Sequence, residues 1–68
     1  MRKIIIKANT LLIEIIEDKP SKKFIIRKDI VATLDKSIFI EGNLYFIIYV
    51  KSENGLRKFA ISFMDINV

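Results

Sequence analysis

The tightest constraint on this chain lies between Lys36 and Met64. Three apolar runs follow one another there: Ser37-Ile38-Phe39-Ile40-Glu41, Leu44-Tyr45-Phe46-Ile47-Ile48-Tyr49-Val50 and Phe59-Ala60-Ile61-Ser62-Phe63-Met64. Gly42-Asn43 separates the first two, and Asn54-Gly55 lies ahead of the third. A loop with glycine first suits one kind of tight hairpin, and Asn-Gly suits the mirror-type loop that needs two positive φ angles. The segment therefore predicts a three-strand antiparallel meander.

Two-residue loops at those dipeptides would set Val50 opposite Phe59, Ile48 opposite Ile61, Phe46 opposite Phe63 and Phe39 opposite Phe46. Side chains alternate along a strand, so these residues share one aromatic-rich face, the expected core. The other face would carry Ile38, Ile40, Tyr45, Ile47, Tyr49, Ala60, Ser62 and Met64. A solvated face should be polar, and this one is not. A register slip of one residue would exchange the faces without making either polar. Something must cover the second face: either the N-terminal strands, closing a small barrel, or another copy of the chain. Ile38, Ile40, Tyr45, Ile47, Tyr49 and Met64 are accordingly the candidate interface. Tyrosine suits such a place because its ring buries well while its hydroxyl stays paired or wet.

The N-terminal half reads as shorter pieces. Ile4-Ile5-Ile6-Lys7 is a first strand, Ala8-Asn9-Thr10 a turn, and residues 11–17 a second strand. Within it, Glu14 interrupts an apolar run and is expected on the outward side. Asp18-Lys19-Pro20-Ser21-Lys22 reads as a polar loop broken by proline, and Phe24-Ile25-Ile26-Arg27 as a third strand. Residues 29–35 read either as one helical turn capped by Asp29 or as a short strand; their β-branched content favours extended chain. The expected fold is all-β: a small antiparallel sheet or half-open barrel of five to six short strands with a C-terminal three-strand meander. It forms a single domain spanning residues 1–68.

Size sharpens the problem. A chain of 68 residues buries only about 60% of its unfolded surface, so it sits near the lower limit for folding unaided. There is no cysteine to form a disulfide and no histidine, so thiolate and imidazole metal sites are excluded. The alternatives are a dense apolar core and self-association. Fifteen isoleucines supply the first, and their β-branching favours strands. The absence of cysteine fits a reducing, cytoplasmic setting. No apolar run reaches membrane-spanning length, and Met1-Arg2-Lys3 is followed by too short a run for a secretory signal. The isoleucine and lysine bias is what an AT-rich genome, such as that of a low-GC bacterium or its phage, produces.

The same absences bear on function. Nucleophilic triads cannot be built without histidine or cysteine, and two glycines cannot form a phosphate loop. Glu14, Glu17, Asp29, Asp35, Glu41 and Asp65 are scattered beside turns, as solvated carboxylates are. The chain is expected to be no enzyme and to need no cofactor. The basic residues carry the other hint. With a net charge of +4, the chain has doublets at Arg2-Lys3, Lys22-Lys23, Arg27-Lys28 and Arg57-Lys58, two of them beside Phe24 and Phe59. Small barrels that bind single strands join a basic groove to aromatic platforms. On that pattern Lys22, Lys23, Arg27, Lys28, Arg57 and Lys58 would meet the phosphates of a nucleic acid or nucleotide, with Tyr45 and Tyr49 stacking bases. Lysines at strand ends also simply keep edges soluble. The leading expectation is a non-catalytic interaction module that self-associates and binds a protein partner, a form that a phage or mobile-element inhibitor also takes. Anion binding is the alternative.

Overall fold

The computed structural model describes residues 2–66, which form six strands and one short 3-10 turn. They are β1 (Arg2–Ile6), β2 (Leu11–Ile16), β3 (Lys19–Ile25), β4 (Ile30–Ile40), β5 (Asn43–Ser52) and β6 (Gly55–Ser62), with the turn at Phe63–Asp65. The strands make one antiparallel sheet in the order β1-β4-β5-β6-β2-β3. The predicted meander is present as β4-β5-β6. The β2–β3 hairpin continues the sheet beyond β6, and β1 joins the opposite edge beside β4. β1 and β3 do not pair, so the sheet stays open rather than closing into a barrel. Residues 30–34 are the first part of β4, where β1 lies against them.

The hairpins turn one residue earlier than the glycine dipeptides suggest. Ile40 pairs with Asn43 around Glu41-Gly42, both with positive φ (51° and 84°). Ser52 pairs with Gly55 around Glu53-Asn54, and of these only Gly55 has positive φ, at 109°. Glycine thus ends the second loop instead of filling its centre. Each pairing moves by two residues: Val50 faces Arg57, Ile48 faces Phe59, Phe46 faces Ile61 and Phe39 faces Leu44. An even shift leaves every side chain on its face, so the assignment of faces survives the change of register.

Pro20 does not sit in a loop. The β2–β3 turn is only Glu17-Asp18, both at positive φ (52° and 62°), and Pro20 lies within β3 opposite Ile15. Proline is tolerated there because β3 has a neighbour on one side only. Two β-bulges interrupt the ladders. Asp35 and Lys36 together stand opposite Ile47, and Ser21 and Lys22 stand opposite Glu14.

Both faces hold a core. On the first, Ile4, Ile6, Leu12, Ala32, Ile48, Phe59 and Ile61 are buried, with Phe24, Leu34, Phe46 and Val50 packed around them. On the second, Ile13, Ile15, Ile47 and Ala60 are buried beneath Ile38, Ile40, Tyr45 and Tyr49. Twist explains how one sheet does this. The first cluster joins β1 and the start of β4 to the start of β2 and the end of β3; the second joins the end of β4 to the end of β2. Opposite diagonal corners therefore bend to opposite sides, as accumulated strand twist and two bulges require. The extents of 29 × 26 × 23 Å are those of a coiled sheet; a flat one would be about 10 Å thick.

Phe39 and Phe63 do not join the core, as their places on the aromatic face had suggested. They are 73% and 55% exposed. Phe39 lies past the last β4 residue that β1 covers, and Phe63 leaves the ladder where the 3-10 turn begins.

Asp29 caps a crossover rather than a helix. Its Oδ1 accepts the Ala8 N–H at 2.8 Å, and its Oδ2 lies 3.5 Å from Lys7 Nζ. This ties the link between β1 and β2, which carries the chain from one edge of the sheet to the far side. The Ala8 hydrogen bond, and secondarily Lys7, holds the carboxyl below its ordinary pKa. A lowered folded-state pKa contributes stability above the unfolded value, and that contribution disappears as pH falls through the folded value. Urea unfolding at stepped pH is expected to show wild type more stable than Asp29→Asn at neutral pH, with the gap closing below about pH 4. A gap independent of pH would show that the charge plays no part.

Candidate interaction surface

The second face is where the sequence placed the interface, and β2 covers much of it from within the chain. Ile47 is 1% exposed, while Ile38, Ile40, Tyr45 and Tyr49 are half-buried. Tyr49 donates its hydroxyl to Asp35 Oδ2 at 3.4 Å. What stays open is a groove of about 370 Å³ with Ile15, Ile38, Ile40 and Ile47 among its lining, and with Lys36 and Lys58 beside them. Met64 does not belong to this face. It is 89% exposed on the 3-10 turn and, with Leu34, Phe46, Phe63 and Ile66, lines a second groove of about 330 Å³ on the first face.

The basic residues divide into two sets. Arg57 lies over the rings of Phe24 and Phe59, 5.3 and 5.1 Å from their centroids, and donates through Nε and Nη2 to Glu14 Oε2 at 3.1 and 3.0 Å. Lys58 is paired with Asp18 at 3.2 Å. Both cations are thus met by carboxylates of this chain. Lys22, Lys23, Arg27 and Lys28 are exposed on β3 and the loop after it. Tyr45 and Tyr49 are half-buried in the second cluster, so neither is a bare stacking platform. Glu14 lies on the first face opposite Phe59 with its side chain only 15% exposed, not on an outward polar side. Both faces of β2 are apolar, so no outward side exists for it, and Arg57 neutralises it instead.

Of the open apolar surface, sequence reasoning named Met64 but missed Phe39 and Phe63, which it placed in the core. Phe39, Phe63 and Met64 are exposed, and the Phe63 ring is tilted on Phe46 at 6.1 Å between centroids. Beside them the edge of β4 lacks a neighbour: β1 pairs with residues 30–34 and no described strand pairs with the outer side of residues 35–40. The available signal was the length of β1. That length does not say which half of the 11-residue β4 is covered; the antiparallel register, from Arg2 opposite Leu34 to Ile6 opposite Ile30, decides it, and no residue pattern marks that register.

The remaining carboxylates do not converge. Glu17 and Glu41 sit in separate turns, Asp65 in the 3-10 turn, and among the described residues no three acidic side chains gather at metal-binding spacing. No helix among them is long and apolar enough to cross a membrane. Comparison with protein families, with curated proteins and with solved structures returns no match.

Proposed function

We propose that this protein is a small, non-catalytic β interaction module that self-associates and docks a protein partner. The observation that carries this reading is the exposed set Phe39, Phe63 and Met64 beside the uncovered half of β4. In so small a domain, exposed aromatic rings together with unpaired backbone groups on a strand edge are costly unless another chain meets them. Light scattering across the micromolar range tests the reading: self-association is expected, and a chain that stays at its 7.9 kDa mass at high micromolar concentration counts against it. A compact inhibitor of phage or mobile-element origin would have this physical form, and its genomic neighbours would point to its target.

The alternative, binding of nucleic acid or a nucleotide, keeps Lys22, Lys23, Arg27 and Lys28 as exposed cations. It is weaker because Arg57 and Lys58 are already paired. Titration with labelled oligonucleotides at low and high salt separates the two, since phosphate contacts must weaken steeply as salt rises.

A further inference from the structure

We propose that residues 36–40 of β4 form a two-fold antiparallel ladder with the same residues of a second copy, joining two sheets edge to edge. This rests on the self-association reading above and names its interface.

The free edges are not equally protected. β3 carries Lys19, Pro20, Lys22 and Lys23, the open stretch of β6 carries Arg57 and Lys58, and β1 starts with Arg2-Lys3 and turns Ile4 and Ile6 into the core. Cations and proline of this kind keep edges from pairing. The outer part of β4 lacks them. Its one cation, Lys36, sits in the bulge, and from Ser37 to Ile40 the ladder with β5 is regular. A regular apolar edge with unpaired N–H and C=O groups is what strand addition uses.

The second copy is favoured over a foreign strand because the segment complements itself. A two-fold axis at Ile38 sets Ile38 against its own mate, Phe39 against Ser37 and Lys36 against Ile40. Phe39 of one chain then lies over the small Ser37 of the other. Ser37 is itself opposite Phe46, which is already stacked on Phe63, so the aromatic surface becomes continuous across the junction. Moving the axis to Phe39 would draw Glu41, held at φ 51° in the turn, into the ladder. Each copy carries +4, so the two repel at long range and added salt should tighten the dimer.

Two variants test this by light scattering and amide exchange. Phe39→Lys removes an exposed ring, and Ser37→Lys sets a long cation against the Phe39 of the other copy. Both positions are exposed in the single chain, so folding should persist by circular dichroism. Wild type is expected at twice the 7.9 kDa chain mass, with protection of those alternate amides of residues 36–40 that point away from β5. Each variant should dissociate roughly tenfold more readily or worse and lose that protection. A dimer that both folded variants leave intact would overturn this interface while keeping self-association. A wild type that stays monomeric at every salt concentration would overturn both, and would leave the edge to a foreign strand.

Discussion

Truncating either Ile47 or Ile48 to alanine is expected to destabilise the protein by about 2–5 kcal/mol, the usual cost of deleting a buried isoleucine side chain in a packed core. The two are consecutive on β5 and point to opposite faces, yet they are 1% and 0% exposed. An ordinary antiparallel sheet has one wet face, so only one of two neighbouring positions should be expensive to truncate. Here both should be, because Ile48 anchors the cluster with Leu12, Phe59 and Ile61 while Ile47 anchors the one with Ile13, Ile15 and Ala60. Ile5 and Val31, each 59% exposed on the second face, give the contrast: their alanine variants should fall within about 0.5 kcal/mol of wild type. Total stability for so short a chain is only a few kcal/mol, so either core variant should be largely unfolded near 37 °C. Urea titrations followed by far-ultraviolet circular dichroism measure all four. A costly Ile48→Ala beside a harmless Ile47→Ala would show that the second face is not a core.

That pair also marks what could be read without coordinates. Both-sided greasiness of residues 44–50 is a property of the alternation itself, so the meander, the two faces and the need for cover were legible. How the cover is made was not. It depends on twist and on bulges at Asp35-Lys36 and Ser21-Lys22, and a bulge is one extra residue whose position leaves no mark in the apolar pattern. The turns misled for a local reason. Glu17-Asp18 and Glu41-Gly42 put acidic residues at positive φ, where glycine or asparagine is the usual choice, and Glu53-Asn54 turns with neither residue at positive φ, so neither glycine dipeptide was a loop centre. Phe39 and Phe63 were assigned to the core by parity, which gives the face but not whether another strand lies over it. The proposed edge therefore emerges only once β1 is seen to stop opposite Leu34. Glu14 is the counterpart. A charge in an apolar run signals an outward side only if the strand has one, and β2, between β6 and β3 with apolar neighbours above and below, has none.

The partner that makes Glu14 tolerable gives the second large effect. Arg57→Ala is expected to cost about 2 kcal/mol, more than the 0.2–1 kcal/mol of an exposed ion pair and less than the 3–5 kcal/mol of a fully buried one. The intermediate figure follows from unequal burial, since the Glu14 side chain is 15% exposed and that of Arg57 is 44% exposed. Removing the guanidinium strands a carboxylate beside Phe59 and also strips the cover from two rings, which sit edge to face at 6.0 Å. Arg57→Lys should recover less than half of the loss, because a lysine ammonium cannot lie flat over Phe24 and Phe59 while reaching Glu14. The pair term can be isolated by a double-mutant cycle with Glu14→Ala, with an expected coupling of about 1 kcal/mol. If the double variant is as unstable as the sum of the singles, the carboxylate and guanidinium do not interact energetically. In that case Arg57 contributes through its stacking on the rings alone. If replacing both with leucine proves neutral or stabilising, the pair is a means of tolerating a charge on this face rather than a net source of stability.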